Sequence, residues 1–400
     1  MEENVKMTVS NNRPVSLGHE KPMTLIISGN HAAAYAAKMA RVEVVAAYPI
    51  TPSTGCIEKV SEFVDSGKMG AKYIKVESEH SAAGALIGAS ATGARTFSST
   101  SSHGLLYMAE LVWWAALARL PTVMSIVNRE LAPAWSIWAQ TQDSMGLRDS
   151  GCIQYYCKNV QEVFDTVLMA YKVGENEQVY MPSLVCQDAF ILSHTSAPVD
   201  MPSQAEVDDF LPPYTPKHFI LDPKHPVTHS NLSYPSHFRE KRQNIMESTH
   251  RAKQIIKDVC ADYKKRFGRF HGDLIETYGI DKKTKHIIVS HSSIAEEIEV
   301  TVDILKEKGY DVGLLRLRVL RPFPDEEIRE ACKGAETIHF IERAPSYGYK
   351  GVIAIDTMAA LYEGDNHPKP FHHIEGLSGM DVTAEYVADL IEKDLASLKR

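Results

Sequence analysis

A doubly wound α/β architecture in two domains is what the sequence predicts, on three observations. Strand, loop and helix alternate from Thr24 to about Pro198, with polar groups gathered where the strands end. Proline then recurs at 198, 202, 212, 213, 216, 223, 226 and 235, a spacing that argues against regular helices and for an extended linker. After a long amphipathic segment, the strand and helix alternation resumes and runs to the C-terminus. The expected division is a polar tail over 1–22, a first domain over 23–198, the linker over 199–240, a helical connection over 241–284 and a second domain over 285–400.

Within the first domain, TLIISG (24–29) reads as a buried strand, NHAAAYAAKMARV as an alanine-rich helix and EVVAAYPITP as a second strand. The prolines that flank Ile50 and Thr51 stiffen the loop at that strand's C-terminal end, where open parallel sheets place ligands. Thr54 to Asp65 forms a helix, and AKYIKVES a strand that delivers Glu79. The next helix, from about Ser78 to Gly93, is built from small residues. Its three glycines each cost roughly 1 kcal/mol relative to alanine, a cost that close approach of a neighbouring backbone or a flat ring would offset. RTFSSTS is a strand, SSHG a turn, GLLYMAELVWWAAL a helix, and PTVMSIVNR a strand ending at Asn128 and Arg129. The irregular stretch that follows carries Trp135, Trp138, Gln140, Gln142, Asp143, Arg148 and Asp149, and a long loop of that composition is a candidate for function. In the second domain HIIVSHSS, YDVGLLRLRVL and ETIHFIER read as strands.

Composition excludes several classes. Four hundred residues with 44% hydrophobic and 24% charged content suit a globular chain, and the longest apolar runs are interrupted by charge well short of a membrane span. The N-terminus lacks a basic start followed by an apolar core, so the expected location is the cytoplasm. A net charge of -8 without a basic block argues against nucleic acid as partner. Six scattered cysteines without a CxxC leave no spacing for a zinc site or an iron–sulfur cluster, so redox centres would sit on other chains and no metal is expected here.

The segments YPITPST (48–54), ESEHSAAGALIGASATGARTFSSTSSHGL (77–105), RLPTVMSIVNR (119–129), QDSMGLRDSG (142–151) and DAFILSHT (188–195) together resemble the alpha subunit of 2-oxoacid:ferredoxin oxidoreductases, the pyruvate:ferredoxin oxidoreductase group. FLPPYTP, VLRPFP and IER continue the resemblance. It implies a thiamine-enzyme pyrimidine-type domain followed by a transketolase C-terminal-like domain. It also implies thiamine diphosphate whose diphosphate and magnesium are held by a beta subunit, coenzyme A as co-substrate, and [4Fe-4S] clusters on gamma and ferredoxin-like delta subunits that pass electrons to ferredoxin. The GDG motif that grips the diphosphate in that family is absent here, which fits a shared site.

Under that resemblance Glu79 is the catalytic carboxylate facing the pyrimidine ring, with Pro49, Ala83 and Ser102 on the same side of the cofactor. Thr51 and Arg129 would take the carbonyl and carboxylate of a 2-oxo acid, with Ile50 and Asn128 beside them; a guanidinium suits a planar carboxylate because it offers two parallel hydrogen bonds. Where pyruvate enzymes commonly read NRALSAPINIWNDHQDS, this chain reads NRELAPAWSIWAQTQDS. Gln140 and Thr141 replace an aspartate–histidine pair and Trp135 is new, so Trp135, Gln140, Thr141 and Asp143 join the candidates near the pocket. Pyruvate is the expected substrate, with a branched-chain or aryl 2-oxo acid the alternative and NAD an alternative acceptor. A non-oxidative thiamine-dependent transferase or decarboxylase half, or an inactive scaffold, is the reading from another class.

Overall fold

A computed structural model describes residues 19–398; most of the expected N-terminal tail lies outside the described residues. The first part of the chain forms β1 (Met23–Ser28), α1 (Gly29–Met39), β2 (Val44–Ala47), α2 (Thr54–Asp65), β3 (Lys72–Lys75), α3 (Glu79–Ala91), β4 (Thr96–Thr100), α4 (Ser102–Tyr107), α5 (Ala109–Leu117), β5 (Val123–Asn128), α6 (Gln142–Met145), β6 (Ile153–Tyr156), α7 (Val160–Gly174) and β7 (Ser183–Asp188). β8 (Ser196–Met201), α8 (Gln204–Phe210) and the 33-residue α9 (Pro235–Phe267) lead across. The second part holds β9 (Ile275–Tyr278), β10 (His286–Ser290), α10 (Ile294–Glu307), β11 (Val312–Leu317), β12 (Val319–Arg321), α11 (Asp325–Ala331), β13 (Thr337–Glu342), α12 (Val352–Tyr362), β14 (Lys369–Ile374) and α13 (Ala384–Ser397).

The main sheet has seven strands in the order β12-β6-β7-β5-β4-β2-β3, parallel except for the β12–β6 pair. The chain leaves β2 to one side for β3 and returns on the other side as β4. That reversal opens a crevice at the C-terminal ends of β2 and β4, the place where such sheets bind ligands. The second sheet runs β14-β13-β10-β11-β9, with only β9 antiparallel.

Several expectations need correction. TLIISG is not a strand of the main sheet: β1 pairs with β8 in a separate two-stranded ribbon, which buries Ile27 but leaves Ile26 76% exposed. The proline-rich stretch does contain a helix, α8. Its N-terminus is held by a capping box in which the Ser203 hydroxyl accepts from the Glu206 amide and the Glu206 carboxylate accepts from the Ser203 amide. The expected helical connection over 241–284 begins earlier, at Pro235, and ends in a strand, β9, that belongs to the second sheet. YDVGLLRLRVL is two strands, because the chain turns at Arg318 and β12 crosses over to pair with β6 of the main sheet. IQYY (β6), the FHHI strand (β14) and α13 have no counterpart in the sequence reading.

Arg318 has a reason to turn inward. Its Nε donates to Glu162 Oε1 at 2.8 Å, and Arg316 Nη2 reaches both oxygens of the same carboxylate at 2.7 and 2.6 Å. All three side chains are fully buried, and Glu276 and the Asp273 carbonyl take further donors, while Arg316 Nε has no hydrogen-bond partner among the described residues. Burial pushes the Glu162 carboxyl up, but the two guanidiniums override it and hold it at about 2. The apolar core crosses the same boundary. Ala82, Leu86 and Met124 of the first part belong to one cluster with Leu315, Phe340 and Ile353 of the second.

Glu162→Gln should therefore lower stability by about 3–5 kcal/mol, since it leaves two buried guanidiniums underpaired, as read by thermal or denaturant unfolding. Because the Glu162 pKa lies below its ordinary 4.5, its contribution is complete above that pH and is lost as pH falls toward about 2; the variant should lack this acid-side loss.

Candidate active site

Four strand ends meet at one edge. The loop after β2 brings Pro49, Ile50 and Thr51, the turn after β3 brings Glu79, the segment after β4 brings Ser102, and β5 ends in Asn128 and Arg129. What holds these loops together is Asp143, at the start of α6. Its Oδ1 accepts from Asn128 Nδ2 at 2.7 Å and from the Ser144 amide at 2.8 Å, and its Oδ2 from the amides of Ser102 and Arg129 at 2.9 and 3.1 Å. Complete burial pushes this carboxyl up to about 6, with the four donors opposing the rise. Every acceptor direction is occupied by an N–H, so the ionised form is the one the geometry suits.

Arg129 is buried and donates through Nη1 to the Thr51 carbonyl at 2.7 Å, which joins the β2 and β5 loops. Its Nε has no hydrogen-bond partner among the described residues. Burial pulls its guanidinium pKa down, while Asp143 and Glu79 act in the other direction. An arginine remains charged under any such shift. A buried cation whose Nε and Nη2 have no hydrogen-bond partner among the described residues, beside the exposed Thr51, is suited to an incoming carboxylate.

Glu79 opens α3, whose N-cap Ser78 accepts from the Ser81 amide at 3.1 Å. Its residue is 8% exposed, and among the described residues its carboxylate has no hydrogen-bond partner. Gly104 of α4 makes room for it: a Cβ there would stand 2.6 Å from Glu79 Oε1 and equally close to Thr100 Oγ1. Ala83, one turn along α3, is buried behind it. A nearly buried carboxylate with unused acceptor capacity, beside a glycine and an alanine, fits the ring nitrogen of an aminopyrimidine.

The remaining candidates are placed as follows. Pro49 is exposed and Ile50 half-buried. The Ser102 hydroxyl is turned inward and donates to the Glu130 carbonyl at 2.6 Å, so only the loop it fixes can face a cofactor. Gln140 and Thr141 are buried toward the second domain, where Thr141 Oγ1 lies 2.9 Å from His291 Nε2. Trp135 is 80% exposed. Gly84 and Gly88 are exposed; among the described residues a Cβ built at Gly84 would meet Leu111 Cδ1 at 3.6 Å and one built at Gly88 nothing within 4 Å, so no described backbone approaches these two glycines as closely as expected. Sequence reading passed over Gly104 and Glu130. The glycine directly after SSH was a usable signal for the first; the second acts through contacts distant in sequence. A cavity of about 950 Å3 opens elsewhere, between Trp114, Phe219 and Phe238, and shares no lining residue with these loops.

A family profile described as "Pyruvate flavodoxin/ferredoxin oxidoreductase, thiamine diP-bdg" matches residues 35–261, and one described as "Pyruvate:ferredoxin oxidoreductase core domain II" matches residues 284–387. The chain belongs to this oxidoreductase family. It is 46% identical to pyruvate synthase subunit PorA of Pyrococcus horikoshii over 92% of its own length and 93% of that protein's. It is 44% identical to ketoisovalerate oxidoreductase subunit VorA of Pyrococcus abyssi over 93% of both. The 2-oxoglutarate:ferredoxin oxidoreductase of Magnetococcus marinus, solved with 2-oxoglutarate, coenzyme A and succinyl-CoA bound, shares the fold at a TM-score of 0.70 and 17% identity. That alignment takes in 92% of this chain and spans 65% of the other. A split-gene transketolase, an inactive beta4 tetramer, aligns at a TM-score of 0.56 and 13% identity over 94% of this chain and all of that one. This oxidoreductase subunit thus has a thiamine-enzyme pyrimidine-type unit followed by a transketolase C-terminal-like one, and among the described residues no helix is long and apolar enough to cross a membrane.

Two outcomes are expected for the oxidoreductase. Gly104→Ala should push the Glu79 carboxylate out of place and cost about 100-fold in turnover of the assembled enzyme, measured beside a circular dichroism spectrum that stays unchanged. Protonation of Asp143 would turn an acceptor into a donor facing other donors, so kcat/KM should fall on the acid side with an apparent pKa of about 6; a profile flat down to about pH 5 would contradict this role. For stability the sign is opposite: the folded pKa lies above 3.8, so this carboxyl favours the fold most below that pH and loses its contribution as pH rises through about 6.

Proposed function

We propose that this chain supplies the pyrimidine-side half of a thiamine diphosphate site in a 2-oxoacid oxidoreductase that forms acyl-CoA and carbon dioxide. The observation that carries the reading is the juxtaposition of Glu79, nearly buried and without a protein hydrogen bond, with Arg129, a buried cation tied to Thr51. When bound, thiamine diphosphate supplies a thiazolium carbon nucleophile that adds to a 2-oxo acid and takes up the electron pair left by decarboxylation. Glu79 holds a proton against the pyrimidine ring nitrogen, in a setting that excludes water. Arg129 binds and orients the substrate carboxylate, and the Thr51 hydroxyl contributes at the carbonyl. Asn128 and Asp143 keep the Arg129 backbone in place.

The diphosphate and its magnesium belong to a beta subunit, and the [4Fe-4S] clusters that carry electrons toward ferredoxin or another acceptor belong to gamma- and delta-type subunits. Support for a multi-subunit particle comes from the names of the relatives, which are subunits. The exposed Gly88, with nothing within 4 Å of a Cβ built there among the described residues, also leaves that part of α3 open to a partner. Pyruvate is the preferred substrate. Similarity to the pyruvate and ketoisovalerate subunits is about equal, so a branched-chain acid is the second reading. An aryl acid would gain from stacking on an indole, but Trp135 is 80% exposed and offers no enclosed wall among the described residues.

In the assembled complex, coenzyme A-dependent reduction of a viologen dye should be faster with pyruvate than with 2-oxoisovalerate or phenylglyoxylate. Glu79→Gln should lower kcat by about 10²- to 10⁴-fold, and Arg129→Lys should raise KM by about 10- to 100-fold with a smaller change in kcat. Full activity in Glu79→Ala would overturn the reading.

A further inference from the structure

The segment that follows Arg129 has no regular structure, yet it is tied down at several points. Glu130 N–H donates to the Trp138 carbonyl at 3.0 Å, which closes residues 130–138 into a loop. On the first-domain side the Glu130 carbonyl accepts from the Ser102 hydroxyl at 2.6 Å, and the Ala132 amide reaches His103 Nε2 at 3.3 Å. Further hydrogen bonds run to the second domain. Glu130 Oε1 accepts from the Ser378 amide at 2.8 Å, Thr141 Oγ1 meets His291 Nε2 at 2.9 Å, and Gln142 Nε2 donates to the Pro345 carbonyl at 2.8 Å.

The closest tie is one of shape. A Cβ built on Gly379 would lie 2.9 Å from Cγ of Trp138 and 3.1 Å from its Cβ and Cδ2, so the indole rests directly on a glycine backbone. Gly379 has φ +75° and Ser378 φ +55°, so the Leu377–Gly379 turn is left-handed where it touches the loop, a conformation that glycine adopts without strain. Trp138 also packs against Phe190, ring centres 4.6 Å apart and planes inclined at 52°.

We propose that the Leu377–Gly379 turn of the second domain positions the substrate loop and so sets how large a 2-oxo acid side chain the site accepts. The inference rests on Arg129 as the carboxylate anchor. With the carboxylate fixed there, the loop leaving Arg129 is the segment whose position limits the rest of the acid, and the second domain decides that position. Trp138 and Gly379 are positioning residues on this account; neither need touch substrate. A second domain that only stabilised the chain would leave the choice of substrate untouched.

The test uses the assembled complex. In Gly379→Ala the new methyl group displaces the indole, and the ratio of kcat/KM for pyruvate to that for 2-oxoisovalerate should shift about tenfold, mainly through KM, with a lowered melting temperature from the alanine at φ +75° that does not by itself change the ratio. Trp138→Leu in the Gly379→Ala background removes the clash and should return the ratio toward wild type. Should Gly379→Ala not assemble, Glu130→Ala severs the Ser378 tie from the loop side and carries the same expectation of a shifted ratio. An equal loss for both acids, or an unchanged ratio, would overturn the proposal. Arg129→Lys separates the two failures: if it leaves KM unmoved the site reading falls, and if it raises KM while the Gly379→Ala ratio stays constant only this inference falls.

Discussion

The site depends on one buried carboxylate that need not touch a ligand. Asp143 sits where the loops after β4 and β5 and the first turn of α6 converge, and it accepts a hydrogen bond from each of them. Loops have no internal reason to hold a position; a carboxylate with four acceptor directions can fix three of them at once, because each amide it receives would otherwise be an unpaired buried donor. The arrangement is stable only as a set. Lose one donor and the desolvated charge is undercompensated; remove the carboxyl group altogether and four donors are stranded.

From that anchor outward, each functional side chain is placed by a different kind of constraint. Arg129 follows Asn128 off a strand buried on both faces, and its head group is held by the Thr51 carbonyl. Glu79 is placed by a helix start and by the missing side chain at Gly104. Because β2 and β4 lie on opposite sides of the reversal in strand order, the crevice between their ends is a property of topology, and the side chains that line it are what the sequence adds.

Much of this was legible before any coordinates. Strands buried on both faces, such as Thr96–Thr100 and Val123–Asn128, announce themselves as short uncharged runs flanked by turns, and the small-residue helix began within a residue of its expected start. Elements that depend on distant contacts were not legible. VGLLRLRVL is one continuous apolar pattern, and only Glu162, more than 150 residues earlier, explains why the chain breaks at Arg318. IQYY is too short to stand out between cysteines. The helix at Gln204–Phe210 was obscured by the prolines around it, although Ser203 and Glu206 three residues apart carried its signature. For the site, motif resemblance pointed to Glu79, Thr51 and Arg129, whereas the backbone contact of Trp138 with Gly379 joins positions 241 residues apart and no local pattern betrays it.

The apolar cluster that runs from α3 and the main sheet into β11, β13 and α12 means the molecule has no seam between its halves. The stretch from Leu221 to Tyr234 is largely exposed and lies against the first part, where the Leu221 amide donates to the Ala91 carbonyl. A protease that nicked it would divide the polypeptide into two fragments without parting them, since the shared core and the Glu162 charge cluster would continue to hold both pieces in one folded body.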